Sequence, residues 1–231
     1  MGKRIIQQAR GKGSFTYRVR KKAYQHKIGY SSKIGEAEIL SLIHSAGHSA
    51  PLMKLKVDED IFFMPAFNGA VVGEKIQIGK KEVSPGNILQ IKDIPTSTRV
   101  YNIEKNPGDG GKMMRSAGTS ALVSKKYDHN KVGILMPNKK EVILSGDSRA
   151  TIGIIAGSGK NQKPIMKAGN KFHRMRALGK LYPIISAVSV NAIDHPFGSG
   201  RGKRIKSKTA KRNAPPGKRV GHIRPRRTGK K

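Results

Sequence analysis

The residues whose types and spacing come closest to a known chemical motif are the five at positions 157–161 (GSGKN). They resemble the end of a phosphate-binding loop, which also needs a glycine five positions before its last glycine and a hydroxyl residue after its lysine. In this chain Ile154 occupies the upstream position, and Asn161 replaces the serine or threonine. The segment therefore does not predict nucleotide binding.

The seven histidines do not have the spacing of a metal site or a hydrolytic site. His44 and His48 are four residues apart, but a turn containing glycine separates them, so they are not expected to share a helical face. The chain has no cysteine, which excludes disulfides and thiolate metal ligands. Residues 148–231 contain a single carboxylate, Asp194, and the other carboxylates are expected at the surface or in turns. We therefore expect a protein that is not an enzyme.

A glycine-rich basic segment at residues 108–118 (GDGGKMMRSAG) is more informative. Glycine lets a backbone approach a ligand closely, and arginine can make bidentate contacts to phosphate or guanine. Lys112 and Arg115 would supply the positive charge. The same composition also fits a long hairpin loop that binds nothing, so composition leaves both interpretations open.

The distribution of charge predicts an anionic partner. The 231 residues include 47 Lys and Arg against 14 Asp and Glu, which gives a formal net charge of +33. Residues 1–35 have ten bases and no acid, residues 36–147 have fifteen bases and thirteen acids, and residues 148–231 have 22 bases and one acid. So large a charge repels itself unless an anion neutralises it. Nucleic acid is the favoured counter-charge, and membrane surfaces and acidic proteins are the alternatives.

The middle of the chain, which must position these residues, has the pattern of short strands between Gly, Pro and Asn turns. Residues 79–87 (GKKEVSPGN) look like a linker between two sets of strands. We predict a mainly β protein with two modules in series, the first a small β-barrel. The predicted strands are residues 37–43, 52–57, 61–66 and 70–78 in the first set and 88–94, 99–105, 119–127, 131–136, 141–144 and 151–155 in the second.

Both ends of the chain are predicted to be irregular basic extensions. Glycines interrupt residues 1–32, where we expect no helix, and residues 168–181 are expected to form at most one short helix. Ordering by RNA explains residues 194–231 better than a solubilising disordered tail, because both ends share the same composition. The apolar segment at 182–193 is shorter than the roughly 20 residues of a membrane span. The first residues also lack the apolar core of a signal peptide.

Five stretches resemble one known family, the universal second protein of the large ribosomal subunit in its archaeal and eukaryotic form. The similarity covers essentially the whole chain, and the length favours the archaeal form. The stretches occur in the family's order, and RSAGT and DHPFGSG are specific to it. They are residues 105–119 (KNPGDGGKMMRSAGT), 148–159 (SRATIGIIAGSG), 163–169 (KPIMKAG), 191–200 (NAIDHPFGSG) and 212–230 (RNAPPGKRVGHIRPRRTGK).

The resemblance implies an OB-fold barrel followed by an SH3-like barrel, with irregular basic N- and C-terminal extensions. The implied boundaries are residues 1–34 for the first arm, 35–80 for the OB-fold domain, 81–160 for the SH3-like barrel domain and 161–231 for the C-terminal extension. It also implies a structural constituent of the large subunit that binds rRNA near the subunit interface and the peptidyl transferase centre. Such a protein supports subunit association, tRNA binding and assembly of peptidyl transferase activity, while the rRNA is the catalyst.

The partners implied are large-subunit rRNA, neighbouring large-subunit proteins and the small subunit at the interface. A cytoplasmic ribosome, no membrane and no homo-oligomer are also implied. We expect no cofactor bound by the protein alone and no metal site, and any magnesium would belong to the rRNA environment. The predicted rRNA-binding residues are His48, Lys112, Arg115, Ser116, Arg149, Lys160, Lys167, Arg174, Arg176, His195, Arg201, Arg204, Arg212, Lys218, Arg219, Arg226 and Arg227.

Three of these residues match positions with known roles in the family. Arg115 matches a position important for rRNA binding. His48 lies in the turn at residues 47–51, which matches a second such position, where the family often has arginine. A neutral imidazole cannot make a bidentate cationic contact, so that role does not carry over directly. His195 matches a histidine linked to peptidyl transferase function, and we expect RNA contact or loop ordering rather than direct chemistry.

Two other function classes remain open at this point. A free-standing RNA chaperone or DNA-compacting protein would share the charge and would bind many nucleic acids with little discrimination. An RNA-modifying enzyme would need a cofactor pocket or paired catalytic groups, and the sequence predicts neither.

Overall fold

The computed structural model describes residues 2–80, 82–200 and 209–223. Four predicted rRNA-binding residues, Arg201, Arg204, Arg226 and Arg227, therefore lie outside the described residues. The chain divides into two compact units, Lys21–Lys167 and Met1–Arg20 with Ala168–Lys231. The prediction of a mainly β protein is confirmed, because most of the regular structure in the described ranges consists of strands.

The first set of strands forms as predicted, with small changes in its limits. The strands are β1 (Gly35–Ile43), β2 (Leu52–Val57), β3 (Asp60–Pro65) and β4 (Lys75–Ile78). The fourth is shorter than predicted because the chain turns through Gly73, whose φ of 88° is unsuited to a strand. Val71 and Val72 are therefore exposed in a turn instead of alternating on a sheet.

The second set contains the six predicted strands with changed limits: the first four are shorter than predicted, the fifth is one residue longer and the sixth lies earlier in the chain. Residues 91–93 form a short 3₁₀ helix instead of continuing the first of them. The second ends early because Asn102 has a φ of 48°, in the left-handed region that no strand adopts. The strands are β5 (Ile88–Gln90), β6 (Arg99–Tyr101), β7 (Ala121–Tyr127), β8 (Lys131–Leu135), β9 (Glu141–Ser145) and β10 (Arg149–Ile152).

All ten strands belong to one hydrogen-bonded sheet, in the order β3-β2-β1-β4-β5-β10-β6-β7-β8-β9. The two predicted sets meet where β4 pairs with β5 in parallel, through Ile78 and Ile88. The other neighbouring strands in this sheet are antiparallel. Residues 79–87, predicted as a linker, therefore connect two strands that are paired with each other.

Two apolar cores pack against this sheet, and the strands at its centre contribute to both. Ile88 and Tyr101 belong to the first core, whereas their neighbours Leu89 and Val100 belong to the second. Successive side chains of a strand point to opposite faces, so β5 and β6 each place one residue in each core. The two cores are thus coupled through shared backbone.

The other unit contains the two α-helices of the described chain, α1 (Ile6–Gly11) and α2 (Ala168–Ala177). The expectation that residues 1–32 form no helix is wrong, because the Ile5 carbonyl accepts the Ala9 N–H and the Gln8 side chain accepts the Ile5 N–H. Gly11 ends this helix rather than preventing it. Residues 168–181 were expected to form at most one short helix, and they form one, α2. Two short strands, β11 (Thr209–Ala210) and β12 (His222–Ile223), pair in parallel.

Candidate nucleic-acid interface

A fully buried carboxylate organises the glycine-rich loop that follows β6. The Glu104 side chain is 0% exposed. It accepts hydrogen bonds from the backbone N–H groups of Gly108 at 3.2 Å, Gly110 at 3.1 Å and Arg149 at 2.8 Å. A buried carboxylate without such donors would be strongly destabilising, so the loop backbone closes around it. The expectation that the carboxylates lie at the surface or in turns is wrong for Glu104.

A second carboxylate, Asp109, holds the same loop from within. Its two oxygens accept the backbone N–H groups of Lys105 at 3.0 Å, Asn106 at 3.1 Å and Gly111 at 3.0 Å. A carboxylate bonded to several N–H groups has most of its acceptor sites occupied. Both acids of the segment therefore bind backbone of the loop itself.

The loop folds back on β6 as a hairpin. Asn102 donates its backbone N–H to the Met114 carbonyl and Lys112 donates to the Ile103 carbonyl, both at 2.9 Å. Gly111 has a φ of 86°, and a Cβ there would overlap the side chain and carbonyl of Asn102. Only glycine permits this close approach of the two backbones. The hairpin leaves Lys112 and Ser116 exposed.

Arg149, predicted to bind rRNA, has its guanidinium bonded within the protein. Its Nε and Nη2 atoms lie 3.3 and 3.0 Å from Oε1 of Glu104, and Nη1 donates to the Ser31 carbonyl at 2.7 Å. The guanidinium carbon also lies 5.1 Å from the centre of the Tyr30 ring. With each of its nitrogens engaged, Arg149 is placed to hold the hairpin in position, and its contact with RNA stays a prediction.

Tyr30 ties the segment before β1 to the same network. Its hydroxyl donates to the Asn102 carbonyl at 2.6 Å and lies 2.8 Å from Oγ1 of Thr151, which must then be the donor of that second bond. Burial raises the pKa of the Tyr30 phenol well above its usual value, because a phenolate would lose its hydration there.

Three segments meet at Ser49, and we call them together the loop junction: residues 45–51, residues 104–118 and Lys160. The Ser49 hydroxyl accepts the Ala117 N–H at 2.9 Å, and its carbonyl accepts Nζ of Lys160 at 2.8 Å. Five of the predicted rRNA-binding residues belong to these three segments, and they are His48, Lys112, Arg115, Ser116 and Lys160. Lys167, the last predicted residue of this unit, is exposed.

Arg115 is half-buried at the loop junction, where Nη1 donates to the Gly111 carbonyl at 3.2 Å. Burial lowers the pKa of its guanidinium, but an arginine keeps its proton in a protein. Burial also lowers the pKa of the His48 imidazole, and the positive charge of Arg115 lowers it further. His48 is therefore neutral at neutral pH and lies beside a fixed cation.

The remaining described candidates belong to the unit that contains the two ends of the chain. Nδ1 of His195 accepts the Phe197 N–H at 3.0 Å, and the two rings lie 5.0 Å apart. Because Nδ1 is an acceptor, the proton of the neutral ring is on Nε2. This geometry orders the loop around His195. The other candidates there are Arg174 and Arg176 on α2, and Arg212, Lys218 and Arg219, which are exposed in residues 209–223.

Sequence reasoning missed the residues that hold the site together, above all Glu104, Tyr30 and Ser49. A single acid between apolar residues and a glycine-rich basic segment was a usable signal for Glu104. Ser49 carried none, because a serine in a polar turn is common.

Among the described residues, no group of three or more His, Asp or Glu side chains is placed to hold a metal ion. The α-helices of the described ranges are α1 and α2, and neither is long and apolar enough to cross a membrane.

Comparisons with known proteins add an independent finding. The family model described as Ribosomal Proteins L2, C-terminal domain, matches residues 84–217. A large ribosomal subunit protein uL2 from Sulfolobus acidocaldarius is 40% identical over 236 aligned residues, which cover 100% of this chain and 99% of the relative. Proteins of the same description from Sulfurisphaera tokodaii, 39% identical over 236 residues, and Natronomonas pharaonis, 40% identical over 237, also match 100% of this chain. The alignments include 99% of the Sulfurisphaera tokodaii protein and 97% of the Natronomonas pharaonis protein.

Proposed function

Since the chain belongs to the uL2 family of large ribosomal subunit proteins, we propose that it binds large-subunit rRNA through its loop junction and its basic ends. The family resemblance drawn from the sequence motifs is thereby confirmed. The protein is a ribosomal protein of the large subunit, with a part in translation. What it contacts there, and how, is the substance of the proposal.

The main observation behind the proposal is that the two carboxylates in the hairpin loop are hydrogen-bonded within the protein. Glu104 and Asp109 both accept backbone N–H groups of the loop, and Glu104 is also paired with the Arg149 guanidinium. Lys112 is exposed and Arg115 is half-buried in the same loop. A rigid loop whose acids face its own backbone can offer its cations to phosphates without paying an ordering cost on binding.

The basic ends support the same proposal. Residues 148–231 have 22 bases and one acid, and residues 1–35 have ten bases and no acid. A-form RNA has a deep major groove that side chains cannot read, so contacts to phosphates and 2′-hydroxyls should lead. Each phosphate neutralised releases counterions, which makes the affinity fall with salt.

The finer roles follow from family membership as proposals. The first module is an OB-fold barrel over residues 35–80 and the second an SH3-like barrel over 81–160, between arms at 1–34 and 161–231. The protein lies near the subunit interface and the peptidyl transferase centre of a cytoplasmic ribosome, beside other large-subunit proteins and facing the small subunit. There it supports subunit association, tRNA binding and assembly of peptidyl transferase activity, and the rRNA carries out the chemistry.

Sucrose-gradient sedimentation of a lysate, followed by detection of the native protein, tests the proposal. Co-migration with large subunits that persists in high salt is expected for a structural constituent, because many contacts act together. Recovery near the top of the gradient, or with nucleic acids of every size, would instead support a free-standing chaperone or compacting protein.

A further inference from the structure

A single hydroxyl group fixes the tautomer of His48. Oγ of Ser45 lies 3.2 Å from the Ala23 carbonyl and 2.8 Å from Nδ1 of His48. A carbonyl only accepts, so the one hydroxyl proton of Ser45 must go to Ala23. Both bonds then form together only when Nδ1 of His48 carries a proton and donates it to Ser45. Ser45 is 5% exposed, which makes the loss of either bond costly.

The consequence is that Nε2 of His48 presents a lone pair. A neutral imidazole has one N–H group, and Nδ1 holds it. Within the described residues, no group of the protein is hydrogen-bonded to Nε2, and the side chain is half-buried rather than enclosed. His48 is thus a neutral acceptor for a donor that comes from outside the chain.

The surroundings hold this acceptor in one orientation. The Tyr24 ring meets His48 edge-on, with centres 5.0 Å apart. The turn is pinned by the Gly47 N–H, which donates to the Ala23 carbonyl at 2.7 Å. A Cβ at Gly47 would overlap that carbonyl, so the chain needs glycine at this position. A ring fixed in this way loses little freedom when it binds a partner.

The neighbouring cation indicates what the donor is. Arg115 lies close enough for its charge to disfavour protonation of His48, and a phosphate is the natural ligand of an arginine on an RNA-binding surface. A phosphate held there would place a ribose of the same strand near the imidazole. We propose that His48 is a specificity-determining residue whose Nε2 accepts a hydrogen bond from a ribose 2′-hydroxyl beside the phosphate bound by Arg115.

This inference rests on the proposed rRNA binding and adds a discrimination to it. The 2′-hydroxyl is the group that distinguishes RNA from DNA at a given site. Arginine has donors and no acceptor, so an arginine at position 48 would bind phosphate but could not accept from a hydroxyl. A neutral histidine at this position thus offers the sugar an acceptor that an arginine lacks.

Nucleotide-analogue interference tests the inference at every nucleotide of the RNA in one experiment. The probe is full-length large-subunit rRNA from the same organism, transcribed with sparse 2′-deoxynucleotides that each carry a phosphorothioate tag. Transcripts bound by the full-length protein are separated and cleaved with iodine, and transcripts with the tag only serve as the reference. We expect the wild-type protein to exclude 2′-deoxy substitution at a position where His48→Ala tolerates it, while other positions are unchanged.

The size of the effect and its controls follow from the geometry. One neutral hydrogen bond predicts a roughly 3- to 10-fold loss of affinity for the 2′-deoxy RNA at that position with the wild-type protein, and no loss with His48→Ala. His44→Ala changes an exposed histidine of the same turn and should keep the wild-type pattern. Ser45→Ala removes the partner that keeps the His48 proton on Nδ1, so the proton can also occupy Nε2. This variant should weaken the interference at the 2′-deoxy position without abolishing it.

Three outcomes would overturn the inference. One is an identical 2′-deoxy pattern for the wild type and His48→Ala. Another is a pattern in which His48→Ala instead restores tolerance to inosine, which would mean that a guanine amino group is the donor. The last is a ¹⁵N NMR spectrum showing the His48 proton on Nε2. A wild-type protein that fails to bind the transcript at all would instead contradict the proposed function.

Discussion

Arg149 and Glu104 form an ion pair in which Nη2 lies 3.0 Å from Oε1, and the carboxylate has no exposed surface. The pair joins β10 to the residue that begins the glycine-rich hairpin. Glu104 also accepts the backbone N–H groups of Gly108 and Gly110, so the pair links the core of the sheet to the tip of the loop. The conformation of the hairpin loop therefore depends on the ion pair between Arg149 and Glu104.

The first prediction concerns this pair. Arg149→Met leaves a buried carboxylate without its cation and should lower the free energy of unfolding by about 3 kcal/mol, as measured by denaturant titration. Hydrogen exchange at the amides of Gly108 and Gly110 should also become faster. The double variant Arg149→Met/Glu104→Gln removes the unpaired charge and should be the more stable of the two. Unchanged exchange in Arg149→Met would mean that the hairpin does not depend on the pair.

The second prediction compares two glycines of the hairpin with similar backbone angles. Gly108 has a φ of 82° with open space around it, whereas at Gly111, with a φ of 86°, a Cβ would overlap Asn102. Gly108→Ala should cost about 1–2 kcal/mol from the left-handed backbone. Gly111→Ala should cost more, because the overlap is added to the same backbone strain. Equal costs in denaturant titrations would show that the approach to Asn102 is easily relieved.

Much of the strand pattern is visible in the sequence, because alternation sets which side chains face the core. The alternation in residues 52–57 predicted β2 with both of its limits. The pattern failed where backbone angles decide, as at Asn102, which ends β6 with a φ of 48°. It also failed at α1, where glycines near the end of a short helix were taken as barriers to it.

The candidate site was only partly predictable for a different reason. Composition identified the cations of the hairpin, Lys112 and Arg115, since a glycine-rich basic loop is a local feature. It could not show that Arg149 bonds to Ser31, 118 residues away, or to Glu104, 45 residues away. Partners so distant in sequence are set by the fold, and a single sequence does not report them.

The third prediction is a pH dependence. Burial raises the pKa of Tyr30, so the folded protein keeps a proton that the unfolded chain releases near the ordinary tyrosine pKa of 10.0. The stabilisation is complete below that pH and is lost as the pH rises towards the higher folded value. The free energy of unfolding should therefore fall above about pH 10, and less steeply in Tyr30→Phe.

Tyr30→Phe should also cost about 1–2 kcal/mol at neutral pH, because the Asn102 carbonyl and the Thr151 hydroxyl lose their partner. Tyr17→Phe removes the same atom in the other unit and serves as the control. If the wild type and Tyr30→Phe lose stability with the same slope in alkaline solution, Tyr30 does not retain its proton as expected.

The fourth prediction concerns His195. His195→Ala removes the acceptor for the Phe197 N–H and should loosen the surrounding loop, while the protein still enters large subunits. Subunits reconstituted with this variant should show slower peptide transfer or weaker subunit association. His222→Ala, at an exposed histidine of the same unit, is the matched control. Normal transfer and association in the His195 variant would remove this residue from the functional loop.

The fifth prediction separates binding from folding at Arg115. Among the residues that the structure describes, its guanidinium makes one internal hydrogen bond, to the Gly111 carbonyl at 3.2 Å, so Arg115→Ala should leave the thermal midpoint of unfolding nearly unchanged. The same change should weaken binding to large-subunit rRNA. If Arg115 contacts a phosphate, the slope of log affinity against log salt should fall by about one. Lys125→Ala removes an equal charge from the exposed part of β7, outside the loop junction. A similar loss of affinity in both variants would mean that net charge, rather than the hairpin, determines binding, because a specific phosphate contact depends on position and a general attraction does not.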